Sequence, residues 1–96
     1  MARWEIYHQK EGITDVMRMN ILSTISVAID THGKSEKYKI AADVRRWLQE
    51  TYGKQWGVIV GDLGTFQFAA SYYDSKFLAV KEVNLNWYIQ IQQVAP

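Results

Sequence analysis

The chain has 96 residues and is 48% hydrophobic, which suits one domain with a thin core, because a chain this short buries only about two-thirds of its unfolded surface. Eleven basic residues against ten acidic ones nearly cancel, which excludes strong electrostatic steering toward nucleic acid or an anionic membrane. The lack of cysteine excludes disulfides and thiolate metal sites.

No apolar run approaches a membrane span, and the opening MARWEIYHQK lacks the apolar core of a secretory signal. The expectation is a soluble, cytoplasmic, single domain over 1–96, without linker, repeat or low-complexity segment. Trp4 to Gln9 alternates as a short strand, and Glu11-Gly12 ends it. Thr14 is placed to cap a helix, and Asp15 suits its positive end. Met17, Ile21, Leu22, Ile25, Ala28 and Ile29 then share one face at helical spacing. Val16, Met19 and Val27 fall off that face; they read as ordinary exposed apolar residues, with a second contact surface as the alternative.

Thr31 to Lys34 interrupts the pattern, and Ser35-Glu36 restarts it as a capped helix. Ile40, Ala41, Val44, Trp47, Leu48 and Tyr52 form its apolar stripe. Asp43, Arg46, Gln49 and Glu50 face away, with Arg46 and Glu50 spaced for a surface ion pair. Gly53 fits a left-handed C-cap. Beyond it the period becomes two, with strands expected near 55–60, 64–70, 76–83 and 87–92. Asp62-Leu63-Gly64 and Asn84-Leu85-Asn86 are turns, and 71–75 is a longer loop. Strand, two helices and four strands make an α+β fold, with the helices covering one face of an antiparallel sheet.

The segment WGVIVGDLGTFQF threads glycine through apolar strands. Glycine weakens a strand and often marks the close approach of another backbone. A short sheet with apolar residues on both faces is hazardous as a bare edge. Pairing with a second copy and then with an extended ligand strand satisfies both the edge and the second face.

Catalytic and metal signatures are weak. His8 and His32 have no companion at ligand spacing. Asp43 and Glu50 read as a solvated face rather than an acid/base pair. The Gly57, Gly61 and Gly64 spacing sits between strands and opens no helix, so it is no phosphate cradle. Arg45-Arg46 reads as solvated, or alternatively as an interface contact beneath Trp56. Phe66, Phe68 and Tyr72 could serve a small RNA-binding sheet as stacking platforms, but the near-neutral charge and the element order argue against it.

The stretch KIAADVRRWLQETYGKQWGVIVGDLGTFQF resembles the eight-kilodalton dynein light chain family. The resemblance is carried by Ile40-Ala41-Ala42, Arg45-Arg46, Tyr52, Trp56, Ile59-Val60-Gly61 and Gly64-Thr65, and it extends more weakly to both sides. It implies a non-catalytic homodimer without cofactor or metal, in which the strand at 64–70 crosses to complete the partner's sheet. It also implies binding of extended peptides, such as a segment of a dynein intermediate chain, in a cytoplasmic, cytoskeleton-associated setting. Peptide contacts implied are Tyr38, Gly64, Thr65, Phe66, Gln67, Phe68, Ala69, Phe77 and Ala79; dimer contacts are Arg45, Arg46, Trp56, Gly57, Phe66 and Phe68. Family members also occur behind paired EF-hand modules in flatworm tegument proteins, and the chain resembles those domains at least as much as a free-standing light chain. It carries no D-x-D-x-D-G calcium loop of its own.

Departures from the family pattern bear on specificity. Gly57 stands where the family has a histidine proposed to make the dimer pH-sensitive, so no such switch is expected. Asp62-Leu63-Gly64 shortens the family turn, Phe68-Ala69-Ala70 replaces a threonine-histidine-glutamate segment, and Tyr38 stands where the family has a lysine. The expectation is a groove with a more apolar preference and less polar readout.

Overall fold

The computed structural model describes residues 3–64 and 72–95. They form β1 (Trp4–Gln9), α1 (Asp15–His32), α2 (Lys37–Tyr52), β2 (Trp56–Asp62), β3 (Phe77–Glu82) and β4 (Trp87–Gln93). The strands make one antiparallel sheet in the order β1-β3-β4-β2, which leaves β1 and β2 as its outer strands. The α+β arrangement of strand, two helices and a run of strands is therefore observed. The strand expected at 64–70 lies outside the described residues, apart from Gly64 in the turn that follows β2.

α1 begins where the sequence implies. The Thr14 hydroxyl accepts from the Met17 N–H at 3.1 Å, meeting one of the unpaired donors of the first turn. Ile21, Ile25, Ala28 and Ile29 are buried, while Val16, Met19 and Val27 stand exposed on the opposite side. The helix runs two residues further than expected, to His32, and stops at Gly33, whose N–H donates to the Ile29 carbonyl at 2.8 Å.

α2 is capped by Glu36 rather than Ser35, and without a side-chain hydrogen bond; the Glu36 carbonyl accepts from the Ile40 N–H at 3.1 Å. Its stripe faces the sheet through Ile40, Val44 and Leu48. Gly53 ends it at φ +104°, ψ −162°. That is a region open essentially to glycine alone, and it differs from the left-handed helical cap expected. Arg46 pairs with Asp43 at 2.7 Å, one turn back, in place of the expected Glu50.

These helices lie on one face of the sheet. Leu78 and Val80 of β3, Ile89 and Ile91 of β4, and Trp56 of β2 point into a core shared with both helices. Each fully buried aliphatic side chain contributes about 1.5–3 kcal/mol of transfer free energy. At the rim, Glu82 is 0% exposed. Its Oε2 accepts from Arg3 Nε at 2.7 Å and its Oε1 from the Leu85 N–H at 2.9 Å. Arg3 also reaches Asp30 of α1 at 3.3 Å, so one side-chain network ties the N-terminus, the β3–β4 turn and α1 together.

Candidate functional site

Alternation along the strands assigns the residues of the opposite, outer face. Register pairs Phe77 with Gln92, Ala79 with Gln90, and Lys81 with Tyr88. On β1 a register shift between Ile6 and His8 interrupts the alternation. Such a bulge places two residues against one and re-aims side chains. Here it brings both Tyr7 and His8 to the outer face: Tyr7 stacks on Tyr88 at 6.1 Å between ring centroids, and His8 meets Phe77 edge-on at 5.8 Å.

The loop after residue 71 closes this group. The Lys10 N–H donates to the Phe77 carbonyl and the Gly12 N–H to the Ser75 carbonyl, both at 3.0 Å. A Cβ on Gly12 would lie 2.2 Å from the Asp74 carbonyl oxygen, so only glycine permits this approach. The Tyr73 N–H donates to the Gln93 carbonyl at 2.6 Å. These bonds hold Tyr72 against Phe77, with centroids 5.1 Å apart.

The result is a cleft of about 370 Å³, within the size range of small binding sites. Tyr7, His8, Tyr72 and Phe77 supply its rings, Ala79 and Tyr88 complete the lining from the sheet, and Lys10 adds one ammonium group. Burial, and secondarily the neighbouring Tyr7, push the Tyr88 phenol above its ordinary pKa, so it stays protonated and donates to Gln90 Oε1 at 2.9 Å. Gln90 in turn donates to Gln92, which continues a polar ladder along β4. A lining of this kind supplies apolar contact through its rings and anion attraction through Lys10.

A second feature lies at the far side of the sheet. β2 pairs residue by residue with β4 from Trp56–Gln93 to Asp62–Trp87, and no strand among the described residues pairs its other edge. Arg45 Nε donates to the Trp56 carbonyl at 3.2 Å, so Arg45 does reach the start of β2. Trp56 is buried, and its indole N–H has no hydrogen-bond partner among the described residues. A Cβ on Gly57 would meet Gln92 at an ordinary 3.6 Å; packing among the described residues does not require glycine there.

The site residues read from sequence thus divide. Phe77 and Ala79 meet in the outer-face cleft. Arg45, Trp56 and Gly57 gather at β2, whereas Arg46 turns away to Asp43. Tyr38 stands 84% exposed at the start of α2, in the helix layer and apart from the cleft. Gly64 is exposed in the turn after β2, and Thr65, Phe66, Gln67, Phe68 and Ala69 lie outside the described residues. Sequence reasoning did not single out Tyr7, His8, Lys10 or Tyr88 as site residues. The aromatic pair Tyr7-His8 beside Lys10 was the available signal, but only the bulge turns both rings to one face.

Away from the sheet, His32 Nε2 and Asp43 Oδ2 lie 2.5 Å apart and link the end of α1 to α2. This hydrogen bond, with the Arg46 charge beside it, holds the Asp43 carboxyl below its ordinary pKa.

The family model described as "Dynein light chain type 1" matches residues 6–89. Among solved structures, the dynein light chain-like domain of the Fasciola hepatica calcium binding protein FhCaBP2 aligns with TM-score 0.83 at 11% identity, covering 100% of this chain and 96% of that one. A native form of the same domain aligns with TM-score 0.80 at 13% identity, covering 97% and 91%. The DLC-like domain of CsTAL3 aligns with TM-score 0.75 at 14% identity, covering 100% and 97%. At such identities these likenesses concern the fold. No curated protein matches the chain.

Proposed function

The chain belongs to the dynein light chain family, and on that premise we propose that it is a homodimeric interaction module that binds extended peptide segments of partner proteins by β-augmentation. The family is one of non-enzymatic adaptors, and the proposed action is binding rather than catalysis. The observation that carries the reading is β2: seven residues in unbroken register with β4 on one side, and no described strand on the other. An edge of that length invites pairing by a second chain.

In this reading the segment 64–70 of one copy crosses to the β2 edge of the other. Gly57, which has room for a Cβ among the described residues, is small because the partner approaches it. Main-chain groups of Gly64 to Ala69 then offer a new edge to the peptide, and Tyr38, Thr65, Phe66, Gln67, Phe77 and Ala79 select its side chains. Dynein intermediate chain is the first partner to try, in a cytoplasmic, cytoskeleton-associated setting. The likeness to the FhCaBP2 domain supports the companion reading that the sequence serves as such a module of a calcium-binding tegumental protein.

Size-exclusion chromatography with light scattering tests the dimer. The expected mass is twice 11.2 kDa, and Gly57→Leu or Phe66→Asp should lower it to the single-chain value with the far-ultraviolet circular dichroism retained. A native chain that runs at 11.2 kDa at all accessible concentrations refutes the dimer.

A further inference from the structure

Val16, Met19 and Val27 of α1 are 67%, 62% and 63% exposed and lie outside the core cluster. We infer that they form a docking surface for an amphipathic helix of another protein, one whose apolar stripe ends in lysine or arginine. This surface is separate from the strand-pairing margin and adds a second kind of partner.

Apolar residues scattered singly over a surface are ordinary, but these three share one side of one helix. From Val16 to Val27 the exposed positions are Val16, Met19, Asn20, Ser23 and Val27, at helical spacing and without a charge. The neighbouring α2 shows the usual alternative: its solvent side carries Lys39, Asp43, Arg46 and Glu50, a charged residue at every turn. Valine is also a costly choice for an exposed helix position, because its β-branch loses rotamer freedom there and gains no core packing in return. The surface widens toward β1. Ile6 is 40% exposed and, paired with Val80, points to the helix side of the sheet. Trp4 Nε1 donates to Ser26 Oγ at 3.3 Å, and Arg18 Nη1 donates to Gln9 Oε1 at 3.0 Å. These two bridges bracket Ile6 on the strand and Met19 with Leu22 on the helix, so Ile6 extends the stripe on its Met19 flank.

Charge selects the occupant. The Asp15 and Asp30 carboxylates stand exposed at the two ends of the stripe, while their partners Arg18 and Arg3 are half-buried. The outward charge at each end is therefore negative. A second copy is a poor fit: two-fold packing of α1 on itself, in either direction, sets the carboxylates of one copy against those of the other. An anionic membrane is repelled for the same reason. An amphipathic helix with basic ends meets the stripe with its apolar side and the carboxylates with its cations. α1 is bridged to β1, whereas α2 lies over β2 at the other margin of the sheet. Strand pairing at β2 thus leaves the stripe open.

Titration of the nitrogen-15-labelled protein with synthetic helices, followed by amide chemical shifts, tests this. The first probe carries leucine at i, i+3, i+7 and i+11 with lysine at both ends; a second has glutamate at the ends, and a third has glutamine in place of the leucines. The first should bind roughly tenfold more tightly than either control, with shifts confined to the outer side of α1 and to Ile6. Met19→Gln with Val27→Gln should weaken that binding at least about tenfold, while the melting temperature holds or rises. Binding of the two leucine probes within about twofold of each other, shifts centred elsewhere, or an unaffected double variant overturns the inference. So does a fall in light-scattering mass on the double variant, which makes the stripe a contact between copies, or co-sedimentation with anionic vesicles that the double variant abolishes. Gly57→Leu should leave helix binding unchanged, so failure of this surface and failure of strand pairing at β2 are read independently.

Discussion

Replacing Arg3 by alanine leaves a carboxylate that solvent does not reach. Glu82 is 0% exposed, and Arg3 Nε, at 2.7 Å, is the only charged group bonded to it among the described residues. The Leu85 N–H occupies the other carboxylate oxygen at 2.9 Å and offers only a dipole. Removing one member of a buried pair costs about 3–5 kcal/mol, because the remaining charge is uncompensated. Arg3 is itself 27% exposed in its side chain, so the lower end of that range is expected. Against a total stability of about 5–15 kcal/mol for a domain, this is a large fraction. In urea, with a slope of about 1–3 kcal/mol per molar, the midpoint should fall by roughly 1–3 M. The double variant Arg3→Met, Glu82→Met should regain most of the loss, short by about 1 kcal/mol for the Leu85 N–H left without its acceptor. Equilibrium unfolding at one fixed protein concentration is the assay, since association would shift the midpoint. A loss below about 1 kcal/mol on Arg3→Ala, the size typical of an exposed pair, would refute the claim that this bridge is a buried one.

Two further outcomes follow from other contacts. Gly12→Ala drives a Cβ toward the Asp74 and Ser75 backbone, at 2.2 and 2.6 Å from their atoms; thermal unfolding should show a destabilisation of at least about 2 kcal/mol, and an unchanged melting temperature would mean that the 72–76 loop does not pack there. Asp43 has a depressed pKa in the folded chain, so its ionised form adds stability above the unfolded carboxylate value and that contribution is lost as pH falls through the folded value. The gap in urea midpoint between the native chain and Asp43→Asn should therefore narrow as pH falls below the ordinary carboxylate value of about 3.9, and a gap that stays constant on that acidification contradicts the His32–Asp43 contact.

Local rules made much of the fold legible. Thr14 with Asp15 marks a helix start by chemistry that acts within one turn, and the stripe of α2 is clean because that helix has a single buried side. α1 is harder to read: Val16, Met19 and Val27 add apolar residues opposite the core, and the sequence alone does not say which face is inside. The misses involve contacts distant in sequence. Gly12 needs its lack of a Cβ because of a loop some sixty residues on. The bulge at β1 depends on register against β3, and no pattern within Trp4 to Gln9 announces it. Phe77 and Ala79 line the outer-face cleft, and Lys10, Tyr7 and Tyr88 join them only once three strands and a loop have been brought together.

The two outer strands differ in a way that bears on which of them receives a partner. β1 breaks its register at Tyr7, presents Glu5 and His8, and is drawn into the sheet corner by Arg3 and Lys10 at its ends. Bulges and charged residues are the devices that discourage a strand from templating another. β2 has neither. It keeps register through all seven residues, and its outer face is Gly57, Ile59 and Gly61, a profile that lets a second backbone lie close. A chain that protected both margins would be built to stay alone. Protection of β1 together with an unbroken β2 argues that association runs through the β2 margin.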